Sequence, residues 1–195
     1  MSNVNAPFGL RAVRKIDGNA PNYSTVQRQI LYTYNVAIGQ GDLVIDAGSG
    51  YIQKGVYNDT NSDFYGVFDS VTYFDTVQNK VIFSNQWPAP GTALAGSVFA
   101  NIIMDTDLIF EVQSNGGSGV TLAQIGLNAT FVAAPAVAYN GLSTLALDQT
   151  SAATTSTLPL RIVGLSQRVN NDNAAQYNIV EVILNASAFN NRTGI

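Results

Sequence analysis

Residues 64–74 read FYGVFDSVTYF, and the period of their apolar side chains decides the fold class. Tyr65, Val67, Val71 and Tyr73 fall on one side of a period-two pattern, and Phe64, Phe68 and Phe74 fall on the other. An extended chain alternates in this way, and a strand that is apolar on both faces is expected in the middle of a sheet. The run KVIFS (80–84) follows Gln78-Asn79, which predicts a hairpin with its turn over residues 76–79. DLIFEVQ (107–113), LRIVGLSQR (160–168) and NIVEVILN (178–185) are rich in β-branched and aromatic residues and bounded by turn formers. Shorter candidates are TVQRQILYTY (25–34), DLVI (42–45), YIQKGV (51–56) and GLSTLALD (141–148). Short strands separated by turn chemistry predict an all-β fold, an antiparallel β-barrel or sandwich.

Helix is scarce. Thr121 and Gln124 have capping-box spacing and Gly126 can end the turn, so at most one or two short helices are expected. SNGGSG (114–119) and QTSAATTST (149–157) read as loops, but strands of the same character follow each of them. Residues 25–195 are therefore read as a single β-rich domain. With 195 residues the chain can bury a substantial core without staples, and it has no cysteine.

Residues 1–24 differ from the rest. They contain Pro7 and Pro21, show no alternation, and place Arg11, Arg14 and Lys15 ahead of the first acid, Asp17. From Asp17 onward the chain carries six cations against thirteen acids, and the whole chain has a pI near 4.5. An extended basic N-terminal arm on an acidic body suits contact with another surface. Pro7, Phe8, Leu10, Arg11, Arg14 and Lys15 are its candidate protein-binding residues, with Phe8 and Leu10 filling pockets and the cations meeting acids. On this reading, removal of residues 2–15 leaves the fold intact.

Several activities lack their residues. Without histidine or cysteine the chain has neither the commonest general base nor a thiolate nucleophile or zinc ligand. Asp59, Asn61 and Asp63 match the opening of an EF-hand loop, but Phe64 and Ser70 stand where its glycine and glutamate belong. Asp105, Asp107 and Glu111 would share one face of a strand, as a solvated edge or, in a cleft, a carboxylate pair. GQGDLV (39–44) lacks the third glycine of a dinucleotide fingerprint and reads as a turn. GSG at 48–50 and 117–119 completes no nucleophile elbow. No enzyme and no cofactor is expected.

The expected surroundings follow from composition. The opening MSNVNAPFGL has no basic start followed by an apolar run, and FVAAPAVAY (131–139) is too short to span a bilayer, so neither export nor a membrane is expected. Asn-x-Ser/Thr triplets at Asn22, Asn58, Asn128, Asn185 and Asn191 then read as coincidence. Few cations argue against a nucleic-acid partner. Charged residues make up 11% against about 25% in an ordinary soluble domain, which suits a surface covered by other proteins.

MSNVNAPFGLRAVR (1–14), FYGVFDSVTY (64–73), DTDLIFEVQSNGG (105–117), IGLNA (125–129) and LPLRIVGLSQRVNNDNAAQYNIVEVILN (158–185) together resemble a family of tailed-bacteriophage virion proteins of the head decoration or capsid cement type. The resemblance implies a β-rich protein, made in the host cytoplasm, that sits on the outer surface of an icosahedral head. There it would bridge major capsid protein subunits and associate with itself, as a trimer sooner than a dimer. A rival reading is a receptor- or glycan-binding module of a phage head or tail fibre, with Trp87 and Tyr57 or Tyr73 as an exposed aromatic cluster.

Overall fold

The computed structural model describes residues 3–56, 64–132 and 140–185. Fifteen strands are described: β1 (Arg11–Lys15), β2 (Thr25–Ile30), β3 (Ile38–Gly39), β4 (Leu43–Asp46), β5 (Tyr51–Lys54), β6 (Phe64–Asp75), β7 (Lys80–Ser84), β8 (Gln86–Trp87), β9 (Phe99–Ile103), β10 (Leu108–Gln113), β11 (Asn128–Ala129), β12 (Phe131–Val132), β13 (Ala146–Leu147), β14 (Leu160–Leu165) and β15 (Ile179–Leu184). Two 3-10 turns, Leu122–Gln124 and Gln149–Ser151, are the helical elements among the described residues. The expected capping box is present at the first, where the Thr121 amide donates to Gln124 Oε1 at 2.9 Å. The EF-hand-like turn, Tyr57 and most of the 131–139 run lie outside the described residues.

Strands β4, β5, β2, β9 and β6 form a closed five-stranded barrel, with β6 returning to β4 and β7 added beyond β6. Its pairs are antiparallel except β2 with β5, where Gln29 lies beside Tyr51 and Ile30 beside Ile52. Ile30, Val44, Ile52, Phe68, Val71, Ala100 and Ile102 fill the barrel, with Tyr73 and Trp87 in the same cluster. A separate antiparallel sheet has the order β1-β10-β15-β14-β11. A second core lies between this sheet and the barrel wall: Leu43, Ile45, Phe64 and Val67 from the wall meet Phe110, Val112, Ile162, Val180 and Val182 from the sheet.

The long strand β6 is central, as its two apolar faces require, but its faces are not the two expected sets. Its register against β4 passes from Val44↔Gly66 to Ile45↔Phe64, and against β9 from Phe68↔Ile102 to Ser70↔Asn101. Tyr65 and Asp69 are therefore extra residues, and each bulge reverses the parity beyond it. Phe64 and Val67 consequently face the inter-sheet core, while Phe68, Val71 and Tyr73 face the barrel interior.

The N-terminal segment also departs from expectation. It is extended, but it does not stand apart as an arm: β1 is an edge strand of the five-stranded sheet, paired with β10 through Arg11↔Glu111 and Lys15↔Leu108. Leu10 and Ala12 belong to the inter-sheet core. Ahead of them, the Ala6 amide donates to Gln113 Oε1, and Asn3 bonds the backbone of Asp172 and Gln176. Strand β10 supplies the ladder partner for residues 11–15.

Candidate functional site

A cleft of about 360 Å³ opens where the N-terminal segment crosses the barrel. Phe8, Leu10, Arg11 and Ala12 form one side; Tyr23, Gln40, Gly41, Leu142 and the β6–β9 residues Val67, Phe68, Asp69 and Ile103 form the rest. Its buried lining is apolar, through Leu10, Val67, Phe68 and Ile103, and its outer part carries Tyr23, Gln40 and Asp69. Such a recess takes an apolar side chain at its base and polar contacts at its mouth.

Local chain geometry builds this cleft. At Gly9 (φ +75°) and Gly41 (φ +93°) two chain segments meet so closely that the Leu10 amide donates to the Gly41 carbonyl at 2.9 Å. A Cβ on Gly9 would lie 2.6 Å from Ser143 Cβ, and one on Gly41 would lie 2.9 Å from the Leu10 nitrogen, so neither position accepts a side chain without displacement. The turn read at 39–44 is thus present, and Asp42 anchors it. This buried carboxylate accepts the Gly39 amide at 2.8 Å and the Ser143 hydroxyl at 2.5 Å, and meets Lys54 Nζ at 2.9 Å. The β6 bulge aims Asp69 at the cleft, where it accepts from Gln40 Nε2 at 3.0 Å.

The expected binding residues separate. Phe8 is half-buried and lines the cleft; Leu10 is buried as part of the cleft's base and cannot also enter a pocket elsewhere. Pro7 is half-buried beside Phe8. Arg14 pairs with Glu181 at 2.6 Å and Lys15 with Asp105 at 3.0 Å, so two of the three cations meet acids of their own chain. The hydrogen bond and charge of Asp105 raise the Lys15 pKa. The Arg11 side chain is exposed and makes no hydrogen bond or ion pair among the described residues.

Asp105, Asp107 and Glu111 do not act as a group. Asp105 Oδ1 accepts the Asp107 amide at 2.9 Å in the turn before β10, whereas Glu111 is buried on the sheet beneath Arg168 and accepts from Ser166 Oγ at 2.6 Å. Among the described residues no group of three or more His, Cys, Asp or Glu side chains could hold a metal ion. Trp87 and Tyr73 are buried in the barrel cluster, stacked edge to face, and offer no exposed platform.

Sequence reasoning missed Tyr23, Gln40, Gly41, Asp69 and Leu142, because they reach the cleft from four separate segments. The turn reading of 39–44 gave one signal, a glycine ahead of an unexplained aspartate. No helix among the described residues is long and apolar enough to cross a membrane. No protein-family model matches the chain, and no curated protein matches it in sequence.

Proposed function

We propose that the protein is a structural component of a bacteriophage virion, a decoration or cement protein that binds the outer surface of the head and bridges major capsid protein subunits. The observation that carries this reading is the cleft beside β1. It is apolar at its base, opens next to an edge strand, and is built partly from Phe8, Leu10 and Arg11 of the opening stretch that shares in the family resemblance.

The grip differs from a free arm. A capsid subunit would supply an apolar side chain to the cleft, while Arg11, which pairs with no acid among the described residues, would meet a capsid carboxylate. Exposed Val81 and Phe83 on the barrel's outer strand, on a chain with few charges, add surface whose covering costs little ion desolvation. One weak contact suffices per site when each copy touches two subunits, since the second contact becomes effectively intramolecular.

The test is the number of copies in purified particles, measured by quantitative mass spectrometry, for the native chain and for Phe8→Ala and Arg11→Glu. Hundreds of copies per particle, depleted in both variants, support the proposal; a particle without the protein overturns it. Deleting residues 2–15 is a poor substitute, since it removes the whole of β1 together with two core side chains.

A further inference from the structure

Strand β7 is the last strand beyond β6, and its far edge has no backbone partner among the described residues. Which of its groups face that edge follows from the neighbouring bonds. The Phe74 amide donates to Ser97 Oγ and its carbonyl accepts the Leu94 amide, so both point away from β7. In an antiparallel ladder, residues directly opposite share this orientation, and bonded and non-bonded pairs alternate. Phe74 lies opposite Val81 and Thr72 opposite Phe83. Val81 and Phe83 therefore direct their N–H and C=O groups outward to the free edge, while Lys80, Ile82 and Ser84 bond to β6.

We propose that this edge pairs with the same edge of a second copy, antiparallel and centred on Ile82. That register sets Val81 opposite Phe83 of the other copy, twice, so the outward donors and acceptors of both residues are satisfied by four hydrogen bonds. It also sets Lys80 opposite Ser84, which opposes no like charges. The Lys80 charge also acts on Asp75 across its own hairpin.

Side chains agree with this register. Val81 is 65% exposed and Phe83 71% exposed, both on the outer face of the sheet. A β-branched side chain directly across from an aromatic one is a favourable cross-strand pair. The outer face carries Phe99 one strand beyond Thr72, so two-fold pairing would join two apolar faces into one continuous surface. Edges are normally guarded against such pairing by charge, proline or a bulge; among residues 80–84 Lys80 is the one such guard, and it sits at the strand's end. This pairing is independent of any role on a virion.

The full chain contains no cysteine, which makes the test direct. In the proposed register Ile82 faces Ile82 of the other copy as a non-bonded pair, with Cα atoms about 4.5 Å apart, within disulfide range. Under mild oxidation Ile82→Cys should become covalently dimeric, and Leu122→Cys, more exposed but on a distant turn, should not. Sedimentation velocity of the native chain should show a concentration-dependent species of twice the 20.7 kDa monomer mass. Val81→Pro, which removes an outward donor but no β6 bond, and Phe83→Glu should each raise its dissociation constant at least about tenfold. Far-UV circular dichroism confirms that each variant is folded. A native chain that stays monomeric at high micromolar concentration overturns the proposal. So does a dimer unaffected by both edge variants, or equal cross-linking at 82 and 122.

Discussion

The rings of Trp87 and Tyr73 meet edge to face with centroids 5.4 Å apart and planes at 85°, inside the barrel cluster. The indole Nε1 donates to the Tyr34 carbonyl at 3.1 Å, so its one polar atom is satisfied where water does not reach. Trp87→Ala should destabilise the fold by about 3–5 kcal/mol, the usual cost of deleting a buried large aromatic. Chemical denaturation measures this. In the native chain the emission of this single tryptophan should be blue-shifted until the barrel unfolds.

Gly9→Ala should also destabilise, because it combines a positive φ with a Cβ pressed against Ser143 and the Gly41 carbonyl. A cost of about 1–3 kcal/mol is expected. The Leu10–Gly41 bond and the β1 edge would loosen first, so limited proteolysis should cut the variant near residue 10 well before the native chain.

Arg168 closes over Glu111 with two nitrogens on two carboxylate oxygens, one of them through Nε at 2.9 Å. Glu111 is nearly fully buried, whereas Arg168 keeps part of its surface in water. Arg168→Ala should therefore cost about 2–3 kcal/mol, below the full penalty of breaking a wholly buried pair. Adding Glu111→Gln should recover part of that loss, since the stranded charge is then gone. A double-mutant cycle by denaturant titration reads both effects.

Asp75 ties the β6–β7 hairpin. Its carboxylate accepts the amides of Gln78 and Val77 and the Thr92 hydroxyl, and these bonds, the Gln78 amide foremost, hold its pKa below the usual range. A carboxyl with a lowered folded pKa contributes stability that is present above its unfolded value of about 3.9 and lost as pH falls through the folded value. Thermal midpoints should drop on acidification below about pH 4, and less steeply in Asp75→Asn. Asp17, held down by its hydrogen bonds from Asn19, adds a slope of the same sign common to both proteins.

Much of the β architecture was legible because its cause is local. KVIFS coincides with β7, the 76–79 turn falls between β6 and β7, and the runs at 107–113, 160–168 and 178–185 contain β10, β14 and β15. Side-chain faces were less so, because Tyr65 and Asp69 are bulges fixed by the partners of β6 and carry no signal of their own. The N-terminal segment was misjudged for a related reason: it shows no clear alternation of its own, and what orders it is an edge of β10 nearly a hundred residues away. Phe8 and Arg11 were found as surface candidates from charge and exposure arguments. The cleft they share with Asp69 and Leu142 exists only once distant turns converge.

The side-by-side placement of β2 and β5 sets the order in which the protein can mature on the ribosome. Strand β2 lies between β5 and β9, so the barrel cannot close until residue 103 has emerged, and β1 stays unmatched until β10 follows. Strand β15, the inner neighbour of β10, comes last among the described strands. Such late partners make for slow acquisition of structure and a long-lived nascent chain with open strand edges. A newly made molecule therefore depends on residues 160–184 to seal the layer against which residues 3–15 rest.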